Sequence, residues 1–517
     1  MSRSMMITRS TWRAVALSTA ASLCLVLAAC GGGSAGSSSS GGSVIKVAQD
    51  ISYPPGPIFD SVDFQSGPYA WMSLIYGSMA LQTPEGLKPE LATSWEYPNG
   101  RTIVIHLRKG VKFQDGSDFN AAAVKKSWDR IIQSKTMLKT AGVAAMSSVE
   151  TSGDSDVTVS FSRDVTGDWR DRFLTSADSL GVASPAALDK YGADYHSQPV
   201  GAGPYRLEKY TVGQSIVLKR WDGFFDKSQQ PVDEYQFIQT SSGAPTVASL
   251  LSGQTDISRV GFDDAASLKK QGIDITVAYP TDSAGTFLAY CTTKGPLQDL
   301  DARKALSLAV NAQEFINRVY NGMNQPNSFP LNKTSPYHKD MASPYSFDVD
   351  KAKQLANSSG LTGKTLKILV SPAQTKAAET LQSQFKAIGV ALDIETNADV
   401  FKTAPTSMPD MTLWGYATFP VAAYSSYVLP EGPGNWCKNS SPNVTEAWYK
   451  TRDTSLTDPQ LSDAWAAFQD ALNTSLPLYV FAGSSDPIAT TKRVTGVQES
   501  GNLGTGSIAA WTSLQVK

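Results

Sequence analysis

Between Thr102 and Leu107, Ile103, Ile105 and Leu107 alternate with Thr102, Val104 and His106, a period of two that predicts a strand with one apolar face. Val111 and Phe113 continue the alternation past Gly110, and Asp115-Gly116 marks a turn. The period then changes. Asn120 can cap a helix on which Ala121, Val124, Trp128 and Ile131 form one stripe. Asp156 to Ser162 alternates again through Val157, Val159 and Phe161. Asp301 can cap a helix striped by Ala302, Ala305, Leu306 and Ala309. Asp458-Pro459 opens a helix striped by Leu461, Trp465, Phe468 and Leu472 that ends near Pro477. Strands alternating with helices predict α/β layers.

The first residues follow a different logic. Arg3, Arg9 and Arg13 precede the apolar, small-residue run Ala14 to Ala29, the length of a signal-peptide core and short for a membrane span. The run ends Leu27-Ala28-Ala29-Cys30, which resembles a bacterial lipobox and implies cleavage before Cys30 and lipidation on it. Residues Gly31 to Ser43 are almost all Gly and Ser, a composition that behaves as a flexible tether. Together these predict a folded domain held by lipid on the outer face of a bacterial cell membrane. The chain carries 45 Lys and Arg against 47 Asp and Glu, a balance that gives no support for nucleic-acid binding. Eleven Trp, 19 Tyr and 19 Phe suit both a large core and an aromatic-lined cleft. With Cys24 in the signal and Cys30 at its end, Cys291 and Cys437 remain as a candidate disulfide outside the membrane. Sequence alone does not show that they come within bonding distance.

The stretch from Lys88 to Ile132, LKPELATSWEYPNGRTIVIHLRKGVKFQDGSDFNAAAVKKSWDRII with its leading Leu87, resembles the signature of the family 5 extracellular solute-binding proteins, receptors of peptide and nickel ABC importers. Val200-Gly-Ala-Gly-Pro-Tyr-Arg206, Pro245 to Ile257, Phe287 to Tyr320 and Ala378 to Ile394 resemble further segments of that family, so the likeness runs from about residue 44 to 517. Cys291, where the family usually has Asn, and Asn311-Ala312, where it has Asp-Arg, depart from it. The resemblance implies an α/β, two-lobed periplasmic-binding-protein-like fold of class II, the large three-subdomain cluster C type, with a cleft between the lobes. The expected layout is a signal peptide at 1–29, lipidated Cys and tether at 30–43, lobe I from 44–82, 199–286 and 494–517, an inserted subdomain at 83–198, and lobe II at 287–493. Crossings are expected near Thr286–Leu288 and near Thr490–Val494. The implied partners are a small peptide or sugar-like solute and the permease of an ABC importer, with the chain a monomer. The implied role is capture and delivery, with no enzymatic activity and no cofactor.

Catalytic chemistry is hard to find. Three His, at 106, 196 and 338, are scattered, and no HExxH, CxxC or paired Cys/His spacing suggests a metal. The Gly-rich matches at Gly31 to Gly36 fall in the tether, and Ser267 to Lys270 matches SxxK without its companion motifs. A hydrolase would need a nucleophile–base pair that these residues do not offer. A sensory role on the same fold stays open beside import.

The candidate ligand residues follow from the resemblance. Pro409 to Pro420 reads PDMTLWGYATFP, beside a family pattern close to "D-x-x-x-x-GW-x-x-D" whose last Asp pairs with a peptide α-ammonium. Asp410 and Gly415 match, Tyr416 stands for the Trp, and Phe419 stands for the ammonium-binding Asp. A Phe cannot accept a charge-assisted hydrogen bond. Trp414, Tyr416, Phe419, Tyr424 and Tyr427 form an aromatic cluster that either faces a solute or fills the core. Tyr53, in Ile51 to Phe59, either reaches the cleft or packs beside its prolines. An oligopeptide or peptide-like solute is expected, with an oligosaccharide or glycoside as the alternative that Phe419 favours.

Overall fold

The computed structural model describes residues 43–51, 59–63, 69–83, 86–134, 146–162, 164–165, 172–280, 283–415, 420–453, 455–498, 503 and 508–517. Cys30, Tyr53, Tyr416 and Phe419 lie outside these residues.

Three main sheets organise the chain. The largest has seven strands in the order Asp274–Ala278, Asp486–Thr490, Ile257–Arg259, Val44–Gln49, Glu234–Gln239, Ser215–Arg220 and Tyr205–Thr211. Its centre is parallel, Val44–Gln49 running with Glu234–Gln239 and Ile257–Arg259. A five-stranded sheet orders Ala391–Thr396, Thr365–Val370, Met411–Trp414, Thr286–Tyr290 and Leu478–Ala482. Here Thr365–Val370 runs parallel to both its neighbours. Ala92–Asn99, Thr102–Leu107, Asp156–Phe161 and Met146–Ser152 form an antiparallel four-stranded sheet. The first and third sheets share one apolar core and the five-stranded sheet has its own, which gives two lobes.

The alternation at Thr102–Leu107 is realised as intermediate and buried positions in strict turn, with Ile103, Ile105 and Leu107 inward. Asn120 caps Ala121–Gln133 by accepting from the Ala123 amide at 3.0 Å, and Trp128 is fully buried with its indole N–H on the Leu180 carbonyl at 2.9 Å. The helix expected to be capped by Asp301 is Leu300–Ala309, and its cap is Asp299, which accepts from the Asp301 amide at 2.7 Å. Asp301 sits instead in the first turn, where its charge still complements the helix dipole.

The Gly201-Ala202-Gly203 segment has a packing reason. A Cβ at Gly201 would stand 2.2 Å from the Ile75 carbonyl oxygen and one at Gly203 2.5 Å from that of Leu74, so only Gly lets this loop press on the end of helix Ala70–Tyr76. Gln114 holds the arrangement. Its amide donates to the carbonyls of Ile75 and Tyr205 at 2.8 and 2.7 Å, and its oxygen accepts from the Gly201 amide at 3.2 Å. Two motifs far apart in sequence thus lock the four-stranded subdomain to the larger sheet.

Two chain segments join the lobes. The first precedes Thr286–Tyr290, near the crossing expected at Thr286–Leu288. The second differs from the expected Thr490–Val494. Asp486–Thr490 already belongs to the seven-stranded sheet, paired with Ile257–Arg259 and with Asp274–Ala278, so the chain crosses at 483–485. The two segments are clasped by Asn332, which is 2% exposed. Its amide donates to the carbonyls of Pro280 and Ser484 at 3.0 and 2.9 Å, and its oxygen accepts from the Ser484 amide at 2.9 Å. Asn324 adds a bond to the Gly483 carbonyl at 2.9 Å. One loop thus pairs with backbone groups of Pro280, Gly483 and Ser484.

Candidate solute-binding cleft

In open α/β sheets, ligands bind beyond the carboxyl ends of parallel strands. In the second lobe these ends are Val370, Thr396 and Trp414. Trp414 is only partly buried and packs against Phe401 at 5.2 Å and edge-on to Tyr427 at 6.0 Å. Its indole N–H is buried and has no hydrogen-bond partner among the described residues. Gly415 follows. A Cβ there would stand 3.3 Å from the Tyr320 hydroxyl and 3.5 Å from Thr286, and those two side chains are themselves bonded at 3.0 Å.

The remaining expected site residues separate. Tyr424 has no exposure, stacks on Phe287 at 5.4 Å and donates its hydroxyl to the Pro330 carbonyl at 2.8 Å. It is a core residue, because neither its face nor its oxygen is left for a solute. Tyr427 is 3% exposed, and burial pushes its hydroxyl well above the usual tyrosine range. It packs edge-on behind Trp414. Asp410 accepts from the Lys367 amide at 2.8 Å and sets strand register. Cys291 and Cys437 are joined as a disulfide with Cα atoms 5.3 Å apart. The bridge lies in the same buried cluster as Phe287, Tyr424 and Tyr427.

Further residues, which the motifs did not single out, meet between the two lobes. Arg259 ends the short strand Ile257–Arg259 and reaches Asp486 at 2.7 Å. Burial pushes the Asp486 carboxyl up, and the guanidinium of Arg259 opposes that shift. The next element, helix Phe262–Lys270, brings Phe262 onto the Tyr320 ring at 4.7 Å. Asp263 then meets Lys376 of helix Thr375–Lys386 at 2.8 Å. Position at the carboxyl end of a parallel strand was the available signal for Arg259, Phe262 and Asp263.

Among the described residues no group of His, Cys, Asp and Glu could hold a metal ion. His106 pairs with Asp156 at 2.8 Å on the four-stranded sheet, and His338 donates from Nδ1 to the Leu331 carbonyl at 3.0 Å. No described helix is long and apolar enough to cross a membrane.

Two lobes, each with its own apolar core, are thus joined by two chain segments. The chain belongs to the bacterial extracellular solute-binding proteins of family 5, whose middle-region model matches residues 86–436. Proteins of this family are extracytoplasmic and take small peptides or other solutes to ABC permeases. The glutathione-binding protein GsiB of Salmonella choleraesuis is 27% identical over 291 residues, 56% of this chain and 56% of that protein. The chain thus matches about half the length of its curated relatives. In structure it is similar to NikA from Brucella suis, solved with Fe(III)-EDTA, at a TM-score of 0.77 and 19% identity over 92% of this chain and 100% of that one. It is also similar to AgaA of A. tumefaciens R10, solved with agropinic acid, at a TM-score of 0.67 and 25% identity over 92% and 98% of the two chains.

Proposed function

We propose that this chain is the lipid-anchored receptor of an ABC importer and that it captures a peptide or peptide-like compound by closing its two lobes. The observation that carries the reading is the half-buried Trp414, whose indole N–H has no partner among the described residues, beside Gly415 at the carboxyl edge of the second sheet. The name of GsiB, a glutathione-binding protein, supports the same reading, since glutathione is a small peptide. Phe419, at the place of the family's ammonium-binding Asp, separates this chain from simple peptide receptors. A buried ammonium without a partner costs several kcal/mol. Short peptides with free α-amines should therefore bind weakly. The same residue favours a second reading, an oligosaccharide or glycoside held by ring stacking.

Native mass spectrometry of freshly purified protein, read for a co-purified solute, tests the role directly. Titration calorimetry with free peptides, glutathione and oligosaccharides then separates the two solute classes. A well-placed ring adds about 0.5–1.5 kcal/mol beyond area burial, so Trp414→Ala should weaken the bound class by about three- to tenfold. Tight binding of short peptides that depends on the free amine and ignores Trp414→Ala would refute the placement of the site.

The anchor is tested separately. Cys30→Ala should lose its acyl label and move the protein from the membrane to the soluble fraction. Unchanged membrane association in that variant would rule out Cys30 as the attachment point.

A further inference from the structure

We infer that Asp263 and Lys376 are positioning residues for solute capture, forming an ionic clasp that biases the two lobes toward contact before any solute arrives. Asp263 lies in the first turn of helix Phe262–Lys270, which follows the strand Ile257–Arg259 of the first lobe. Lys376 lies in the first turn of helix Thr375–Lys386, which follows the strand Thr365–Val370 of the second. The ammonium of Lys376 donates to both oxygens of Asp263, at 2.8 and 3.1 Å. The hydrogen bonds from Lys376 and then Asn321 hold the Asp263 carboxyl below the usual range.

Three further features make this more than a chance surface pair. Asn321 donates to the same Asp263 oxygen at 2.8 Å, also from the second lobe. It does so from a left-handed backbone with φ of 50°, a conformation that few residues other than Gly adopt and that Asn tolerates. Directly beside it, Phe262 packs on Tyr320 at 4.7 Å. Tyr320 is in turn bonded to Thr286 at the first connection, next to Gly415. The clasp, the ring pair and the hinge thus form one continuous line from the rim to the cleft floor. Both charged side chains are well exposed, 73% for Asp263 and 48% for Lys376, so the clasp is weak enough to open and sensitive to salt.

A weak clasp serves a receptor. A strong one would exclude the solute, while none would leave the whole ordering cost of closure to the solute. An exposed pair of this kind shifts an equilibrium by about two- to fivefold.

Hydrogen exchange of the solute-free, full-length protein reads this without a ligand, so its outcome is independent of native mass spectrometry on the solute-capture reading on which the proposal rests. In Asp263→Ala, peptides from the other lobe, covering 284–290, 320–324 and 371–380, should exchange about two- to fivefold faster. Lys376→Ala should do the same to the Phe262–Lys270 helix. The double swap Asp263→Lys with Lys376→Asp should restore slow exchange, which a merely local structural role would not produce. Asn321→Gly keeps the left-handed backbone and removes one bond, so it should give a smaller rise. Raising salt from about 0.05 M to about 1 M should mimic Asp263→Ala in the wild type. Faster exchange confined to the substituted lobe, or a swap that fails to restore it, overturns the clasp.

Discussion

Reducing the bridge between Cys291 and Cys437 is expected to lower the free energy of unfolding of the second lobe by about 5 kcal/mol. The two residues are 146 positions apart, and closing a loop of that length removes this much chain entropy from the unfolded state in the loop-closure account. The site is otherwise well tied. Asn439 accepts from the Thr292 amide at 2.8 Å and donates to the Tyr290 carbonyl at 2.7 Å, so strand and loop stay in register with the bridge open. The native fold should therefore survive reduction with lower stability. The loop that contains Cys437 also contains Gly434, where a Cβ would touch the Tyr427 ring at 3.0 Å. Tyr427 in turn backs Trp414. Loosening the bridge thus reaches the aromatic shelf, and Trp414→Ala and reduction should not be additive for solute affinity. Guanidinium titration with and without reductant gives the stability term, and thiol labelling of denatured, unreduced protein gives the oxidation state. Two labelled thiols, or a midpoint indifferent to reductant, would remove the bridge from the argument.

Much of the architecture was legible because period and capping act locally. Helix Asp458–Ser475 buries Leu461, Trp465, Phe468 and Leu472 as its stripe requires. Thr102–Leu107 needed only its alternation. The second connection lies a few residues earlier than the resemblance suggested, because Asp486–Thr490 pairs within the seven-stranded sheet. Asp486–Thr490 opens Asp-Pro, and Pro normally argues against a strand deep in a sheet because it cannot donate to the ladder. Here its carbonyl does the pairing, accepting from the Val260 amide at 3.1 Å.

The site was legible only on one side. The likeness at Pro409 to Pro420 led to Trp414 and Gly415, which do lie at the carboxyl edge of the second sheet. It could not divide the aromatics between cleft and core, since Tyr424 and Trp414 offer similar chemistry and differ in which neighbours cover them. The residues that meet between the lobes are singletons. Arg259, Asp263, Tyr320 and Lys376 have ordinary neighbours in sequence and become a set when two lobes meet. No short pattern encodes that meeting.

Stability should fall as pH rises through the range of a single buried acid, Glu90. Its side chain has no exposure. One carboxyl oxygen accepts from the Ser78 amide at 2.9 Å and from the Ser78 hydroxyl, while the other has no partner among the described residues. Burial pushes the carboxyl up from 4.5 to about 7, against the lowering effect of the Ser78 bonds and of Arg108. The sign follows from which state holds the proton. Below about pH 4.5 both folded and unfolded chains are protonated here. Between 4.5 and about 7 the unfolded chain gives up its proton first, so unfolding releases a proton and stability drops with rising pH. Above about 7 the drop is complete, at about 3 kcal/mol for a proton affinity that differs this much between the states. Glu90→Gln cannot titrate and can still accept from Ser78. The stability of the variant relative to wild type should therefore rise by about 3 kcal/mol between pH 4.5 and 8, whatever constant cost the amide brings. Guanidinium titrations of both proteins across that range check it. The place is where the four-stranded subdomain leaves the first lobe, so the same titration should loosen the join between Ser78 and Ala92 before the rest of the core. A difference between the two proteins that stays flat with pH would mean that Glu90 is already ionised when folded.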